Sequence, residues 1–304
     1  MTSTETQNAR RKRGAARWSL TASATLLGLK IVVGAATGSA GVLAEAVNSA
    51  ADLVGSSLAM LSVRASDEPP DESHAYGHGK IENLSGAATA ALILVGGVFA
   101  IGEAVRHLLH PDPLPGVGWG IGVMGASAVV NFLVSRRLLR VGRETDSPAL
   151  AADGHHLGTD VLTSLSVLLG LTLVSLTGKL WWDAVAALVV SLLILRVGFG
   201  LAREAVSTLS DAALPPDEEA ALTAILTGHP EVRGFHKLRT RKSGAHRHID
   251  VHVQIADTHT FVEAHRLTEE LEDRLRAVLP NLHPIIHIEP DEDEARHQRQ
   301  QHEA

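Results

Sequence analysis

The chain divides by the rhythm of its apolar positions. Over its first two-thirds, apolar runs recur at residues 18–37, 42–63, 84–105, 117–134, 152–177 and 182–197. At about 1.5 Å per helical residue, each approaches or exceeds the length needed to cross a hydrocarbon core of about 30 Å. The turn Gly38-Ser39-Ala40-Gly41 separates the first two runs, a charged loop over 64–81 follows the second, and Pro111, Pro113 and Pro115 break the chain before the fourth. The first run follows a basic segment, as a signal peptide would, but no small-residue cleavage site follows it. It is therefore read as a retained span.

Beyond Ser210 the rhythm changes. Pro215-Pro216 and the acidic Asp217-Glu218-Glu219 mark a helix start running to about Thr227. A strand is expected over 232–239, a turn at Ser243-Gly244, an alternating strand over 248–253, a helix over 261–278 and a last strand over 284–288. The order αββαβ predicts a small two-layer domain with its sheet half covered by helices. The expected fold class is thus an α-helical membrane protein of six transmembrane helices with a carboxy-terminal α+β domain. Four segments result: a disordered tail over 1–16, a membrane domain over 17–210, a globular domain over 211–290 and a disordered charged tail over 291–304.

Charge orients this plan. Lys and Arg concentrate in the amino-terminal tail, the loops after spans two and four, and the segment after span six, whereas the opposite loops hold little beyond Arg106 and Lys179. The positive-inside rule places both termini and the carboxy-terminal domain in the cytoplasm, for a protein of the inner membrane. The net charge of -7 offers no basic face for nucleic acid. With no cysteine in the chain, disulfides and thiolate ligands are excluded, and metal chemistry falls to the 17 histidines and the carboxylates.

Two spans carry ionisable residues. In Ala152-Asp153-Gly154-His155-His156-Leu157-Gly158-Thr159-Asp160, His156 and Asp160 stand four apart, on one helix face; in span two, Asn48 and Asp52 repeat that spacing. Such groups are costly in a membrane and mark function by default. Two helices offering two ligands each can close a four-coordinate site of one nitrogen and three oxygens, suited to a zinc-type divalent ion. Two aspartates and a neutral imidazole balance a divalent charge, so emptying the site calls for protons. The alternative is that the four residues are interhelical hydrogen-bond glue. His155 lies about 100° round the helix from His156 and reads as an entrance or packing residue.

The segments LAEAVNSAADL, PDESHAYGHGKIE, ADGHHLGTD, HKLRTR and IIHIEP resemble the cation diffusion facilitators, a family of divalent-metal/proton antiporters. The resemblance covers about residues 18–290 and implies six spans, a cytoplasmic metal-binding and dimerisation domain, and a homodimer. By position it implies a transport site of Asn48, Asp52, His156 and Asp160, a loop site of Asp71, His74 and His78, and cytoplasmic ligands His236, His252, His265, His287 and Glu289. It also implies a charge pair of Lys80 with Asp211 that interlocks the dimer. Asparagine at position 48 departs from the histidine or aspartate of many members. Zinc is the first-choice ion, with iron, cobalt, manganese, nickel and cadmium as alternatives. An intramembrane metallohydrolase is disfavoured because HExxH is absent and no glutamate neighbours His156. A membrane-anchored metal sensor without transport is the competing function.

Overall fold

The computed structural model describes residues 3–37, 40–110, 119–179 and 181–291. The chain forms two compact units, residues 1–206 and 207–304. The Pro111, Pro113 and Pro115 break and the charged tail from 292 onwards lie outside the described residues.

The first unit is a bundle of six helices: α1 (Ser3–Thr37), α2 (Ala40–Ser66), α3 (Lys80–Leu109), α4 (Trp119–Glu144), α5 (Pro148–Thr177) and α6 (Trp181–Leu209). All six are long and apolar enough to span a membrane. Their burial is inverted relative to a soluble protein. Ser19, Ser49, Ser56, Asp52 and Asp153 are buried, while Val95, Phe99 and Leu176 are largely exposed. Lipid makes that arrangement favourable, because apolar side chains lose nothing facing acyl chains and polar ones must find partners inside.

Helix α1 packs on α2 and α4, α4 on α5, and α3 on both α2 and α5. At the crossing of α4 and α5, Gly154 lets the backbones approach, since a Cβ there would stand 2.9 Å from Leu139 and 3.1 Å from Leu138. The Ser135 hydroxyl donates to the Gly154 carbonyl at 2.7 Å across the same contact.

One expectation is corrected at the amino terminus. The polar segment assigned to a disordered tail is helical from Ser3. The physical reason is ion pairing with the neighbouring helices and the loop. Lys12 Nζ lies 2.8 Å from Glu82 and 3.1 Å from Asp67, Arg13 lies 2.8 Å from Asp67, and Arg11 pairs with Glu144. Glu82, 1% exposed, also accepts from Ser66 and Ser147.

The second unit contains α7 (Pro216–Thr227), β1 (Val232–Ser243), β2 (His246–Ile255), α8 (Phe261–Val278) and β3 (Leu282–Pro290). The sheet order is β1-β2-β3, with β1 antiparallel and β3 parallel to β2. Gly244, at φ 57°, makes the tight β1–β2 turn, and α8 provides the crossover that a parallel pair requires. Along β2, Arg247, Ile249, Val251, Val253 and Ile255 are buried in alternation with His246, His248, Asp250, His252 and Gln254. The apolar members pack with Leu222 and Leu226 of α7 and Leu267, Leu271 and Leu275 of α8. The opposite sheet face therefore carries the histidines.

Helix α8 starts with a capping box: Thr260 Oγ1 accepts from the Glu263 N–H, and the Glu263 carboxylate accepts from the Thr260 N–H at 2.7 Å. Thr260→Ala should cost about 1 kcal/mol locally. Hydrogen exchange of the first-turn amides of α8 should accelerate accordingly, and unchanged exchange would show that the cap contributes nothing.

Candidate metal centres

The polar positions of α2 and α5 meet inside the first unit. One ligand atom each from Asp52, His156 and Asp160 lies within 4.8 Å of the others. His156 Nε2 stands 3.5 Å from Asp52 Oδ1, and neither ring nitrogen of His156 has a hydrogen-bond partner among the described residues. A tetrahedral zinc ion with bonds of 2.0–2.1 Å sets its ligand atoms about 3.3 Å apart, so these three groups could hold such an ion if they closed by up to about 1.5 Å. Gly55, one turn after Asp52, faces the same ring: a Cβ there would stand 3.4 Å from His156, at ordinary contact distance.

Asn48 lies one turn before Asp52 on α2 with its side chain exposed. His155 is half-buried and outside the cluster.

A further residue joins this region that the sequence reading passed over. Asp153 is wholly buried and accepts from Ser19 at 2.7 Å and Ser56 at 3.3 Å. Ser56 is bonded in turn to Ser19 and Ser23. The signal was present in the sequence, since residues 153, 156 and 160 form one i, i+3, i+7 stripe. Its partners on α1 were not legible. Lys30, buried on α1, donates to Ser49 at 2.8 Å, three residues before Asp52.

The second cluster lies in the loop between α2 and α3. Asp71 stands 3.5 Å from both His74 and His78, whose rings are 4.4 Å apart. The N–H groups of Ser73 and His74 and the Ser73 hydroxyl all donate to Asp71 Oδ1. These bonds, the His74 N–H foremost, hold the carboxyl down at about 2, so it stays charged throughout the physiological range. Buried His78 Nδ1 has no hydrogen-bond partner among the described residues.

The third cluster is on the outward face of the sheet: His236, His252 and Glu289. Glu289 bonds His252 Nδ1 and lies 3.2 Å from His236 Nε2, and His287 Nε2 is 3.6 Å from the same carboxylate. A register shift between His236 and Arg239, with Lys237 at φ 51°, lets His236 pair with His252. His265 is not brought to them; it stands exposed on α8, the helix covering the other sheet face, 3.7 Å from Glu269. Further along the histidine face, burial and then Arg241 push His248 down to about 4, leaving it neutral near pH 7.

Lys80 opens α3 in the first unit; Asp211, in the second, has its carboxylate 3.7 Å from Arg241.

The chain that carries these clusters matches known proteins over nearly its whole length. The cation efflux transmembrane domain matches residues 16–210, and the cytoplasmic domain of cation efflux proteins matches residues 214–291. The chain belongs to the cation diffusion facilitator, or cation efflux, family. The cation-efflux pump FieF of Serratia proteamaculans (strain 568) is 36% identical over 94% of this chain and 95% of its own. FieF of Yersinia pestis (strain Pestoides F) is 38% identical over 91% of this chain and 92% of its own. Among solved structures, the metal-bound C-terminal domain of the CzcD transporter from Thermotoga maritima is similar at 24% identity, covering 24% of this chain and 87% of that one with a TM-score of 0.24. This cation efflux protein is a multi-pass membrane transporter and not an enzyme.

Proposed function

We propose that the protein exports divalent metal cations from the cytoplasm across the inner membrane in exchange for protons, by alternating access around Asn48, Asp52, His156 and Asp160, with zinc as the first-choice substrate. The observation that carries this reading is the meeting of buried Asp52 and His156 with half-buried Asp160 inside membrane-spanning helices. Two carboxylates and a neutral imidazole balance a divalent charge, so loss of the ion leaves two negative charges in a low-dielectric setting, where protons are the available replacement. His156 is the natural proton carrier, because an unperturbed imidazole titrates near 6.5 and must be neutral to ligate. The names of the cation-efflux relatives support the direction of transport, and the distribution of Lys and Arg supports cytoplasmic termini.

The loop cluster and the His236–His252–Glu289 cluster hold metal on the cytoplasmic side. His265 joins the latter only from a second copy of the chain, since α8 keeps it on the opposite face of its own sheet. That supports a homodimer.

The direct test is purified protein in liposomes carrying a pH-sensitive dye. Zinc addition should drive matched metal uptake and proton movement; binding without flux would favour a metal sensor and overturn the transport reading. Asn48→Asp adds a third carboxylate one turn from Asp52, and should shift preference towards harder ions such as manganese. Asn48→His should shift it towards zinc. An unchanged ion ranking in both variants would remove Asn48 from the site.

A further inference from the structure

The histidine face of the sheet continues beyond the cluster just described. His246 and His248 of β2 share this face with His252, and His283 of β3 pairs in register with His248. His246 Nδ1 lies 3.1 Å from His283 Nε2, and the rings of His248 and His283 stack with centroids 5.2 Å apart and 22° between planes. Two ring nitrogens aimed at each other at that distance share either a proton or a Lewis acid. The separation is close to the roughly 3.3 Å that two imidazoles adopt on one tetrahedral zinc ion.

We propose that His246, His283 and His248 form a separate binding site for a zinc-type divalent ion. His246 and His283 are the first two ligands, and rotation of the His248 ring from its stacked position supplies the third. One ion cannot serve both this set and the His236–His252–Glu289 cluster, because His248 and His252 are four residues apart on a strand, about 13 Å. Asp250 occupies the same face between them.

Three neutral nitrogens select borderline ions such as zinc, cobalt, nickel or copper over magnesium, calcium or manganese. The positive neighbour is Arg241, opposite His248 on β1, and its charge is offset by Asp211 at 3.7 Å. Glu289 contributes a negative charge to the other cluster, whereas this set contributes none. The new site is therefore the weaker of the two and fills as metal concentration rises above the level that saturates the first. Its existence does not depend on the transport reading, and a failure of flux would leave it intact.

The experiment uses the full chain in detergent, stripped of metal and titrated with Co2+ and Zn2+. His283→Gln and His246→Gln should each remove about one weakly bound ion per chain, weakening that class by more than the roughly 10- to 100-fold that loss of an outer hydrogen-bond partner costs a metal site. His252→Gln should instead remove the tight cytoplasmic class and leave the weak class in place. Because the protein has no cysteine, His283→Cys is a selective reporter. Co2+ should then produce a thiolate charge-transfer absorption, and combining it with His246→Gln should abolish that band. Isotherms unchanged by His283→Gln, with no band in His283→Cys, would overturn the proposal and leave the pair sharing a proton.

Discussion

Replacing Asp160 with alanine should abolish metal flux through this protein while leaving the bundle folded. Asp160 supplies one of two carboxylates facing His156, and its loss leaves a divalent ion with a single compensating charge in a buried site. An uncompensated buried charge costs about 3–5 kcal/mol, so occupancy, and flux with it, should fall by roughly 100-fold or more. Asp52→Ala should do the same, since Asp52 stands 3.5 Å from His156 and offers the other charge. Proteoliposome flux is the measurement, with thermal stability in detergent as the control. Asp160→Asn keeps an oxygen ligand without the charge; activity well above that of the alanine variant would mean that geometry outweighs charge balance. Wild-type flux in Asp160→Ala would sink the assignment of the transport site.

Asp153→Ala should be the next most damaging change, by a different route. Asp153 is not in the ligand cluster, but it accepts from Ser19 of α1 and Ser56 of α2 while belonging to α5, and so ties three helices at one buried point. His156 and Asp52, the residues that must meet across α2 and α5, lie three positions further along α5 and one turn before Ser56. A buried hydrogen-bond network that loses its central acceptor costs about 1–3 kcal/mol, with more when the acceptor is charged. Flux should fall about tenfold and the melting transition of the bundle should drop. Asp153→Asn, which keeps one acceptor oxygen and the volume, should restore most of the stability. If Asp153→Ala matches wild type in both measurements, the tie between α1 and α5 is dispensable.

Much of the fold was legible because membrane and sheet impose simple periods. Apolar runs gave all six spans, and alternation along 248–253 gave the histidine face of β2 together with its buried partner face. The ends were less legible. The cluster Arg10-Arg11-Lys12-Arg13 looks like a solvated tail when taken alone, and becomes a helix because Asp67, Glu82 and Glu144 are waiting on three other segments. Asp153 was passed over for a similar reason: its stripe was visible, but Ser19 and Ser56 lie 134 and 97 residues away in sequence.

By itself, then, the sequence determined which residues share a face: Asn48 with Asp52, Asp153 with His156 and Asp160, His246 with His248 and His252. Side-chain direction repeats every 3.6 or 2 residues, and that period is a local property of the backbone. Only the tertiary structure decided which faces meet. It brings Asp52 to within 3.5 Å of His156, separates His265 from the other cytoplasmic ligands, and sets His283 against His246 through a parallel strand pairing that spans the whole of α8. Those outcomes depend on helix packing and on chain crossovers, which trade burial and hydrogen bonding between distant segments and leave no periodic trace in any one of them.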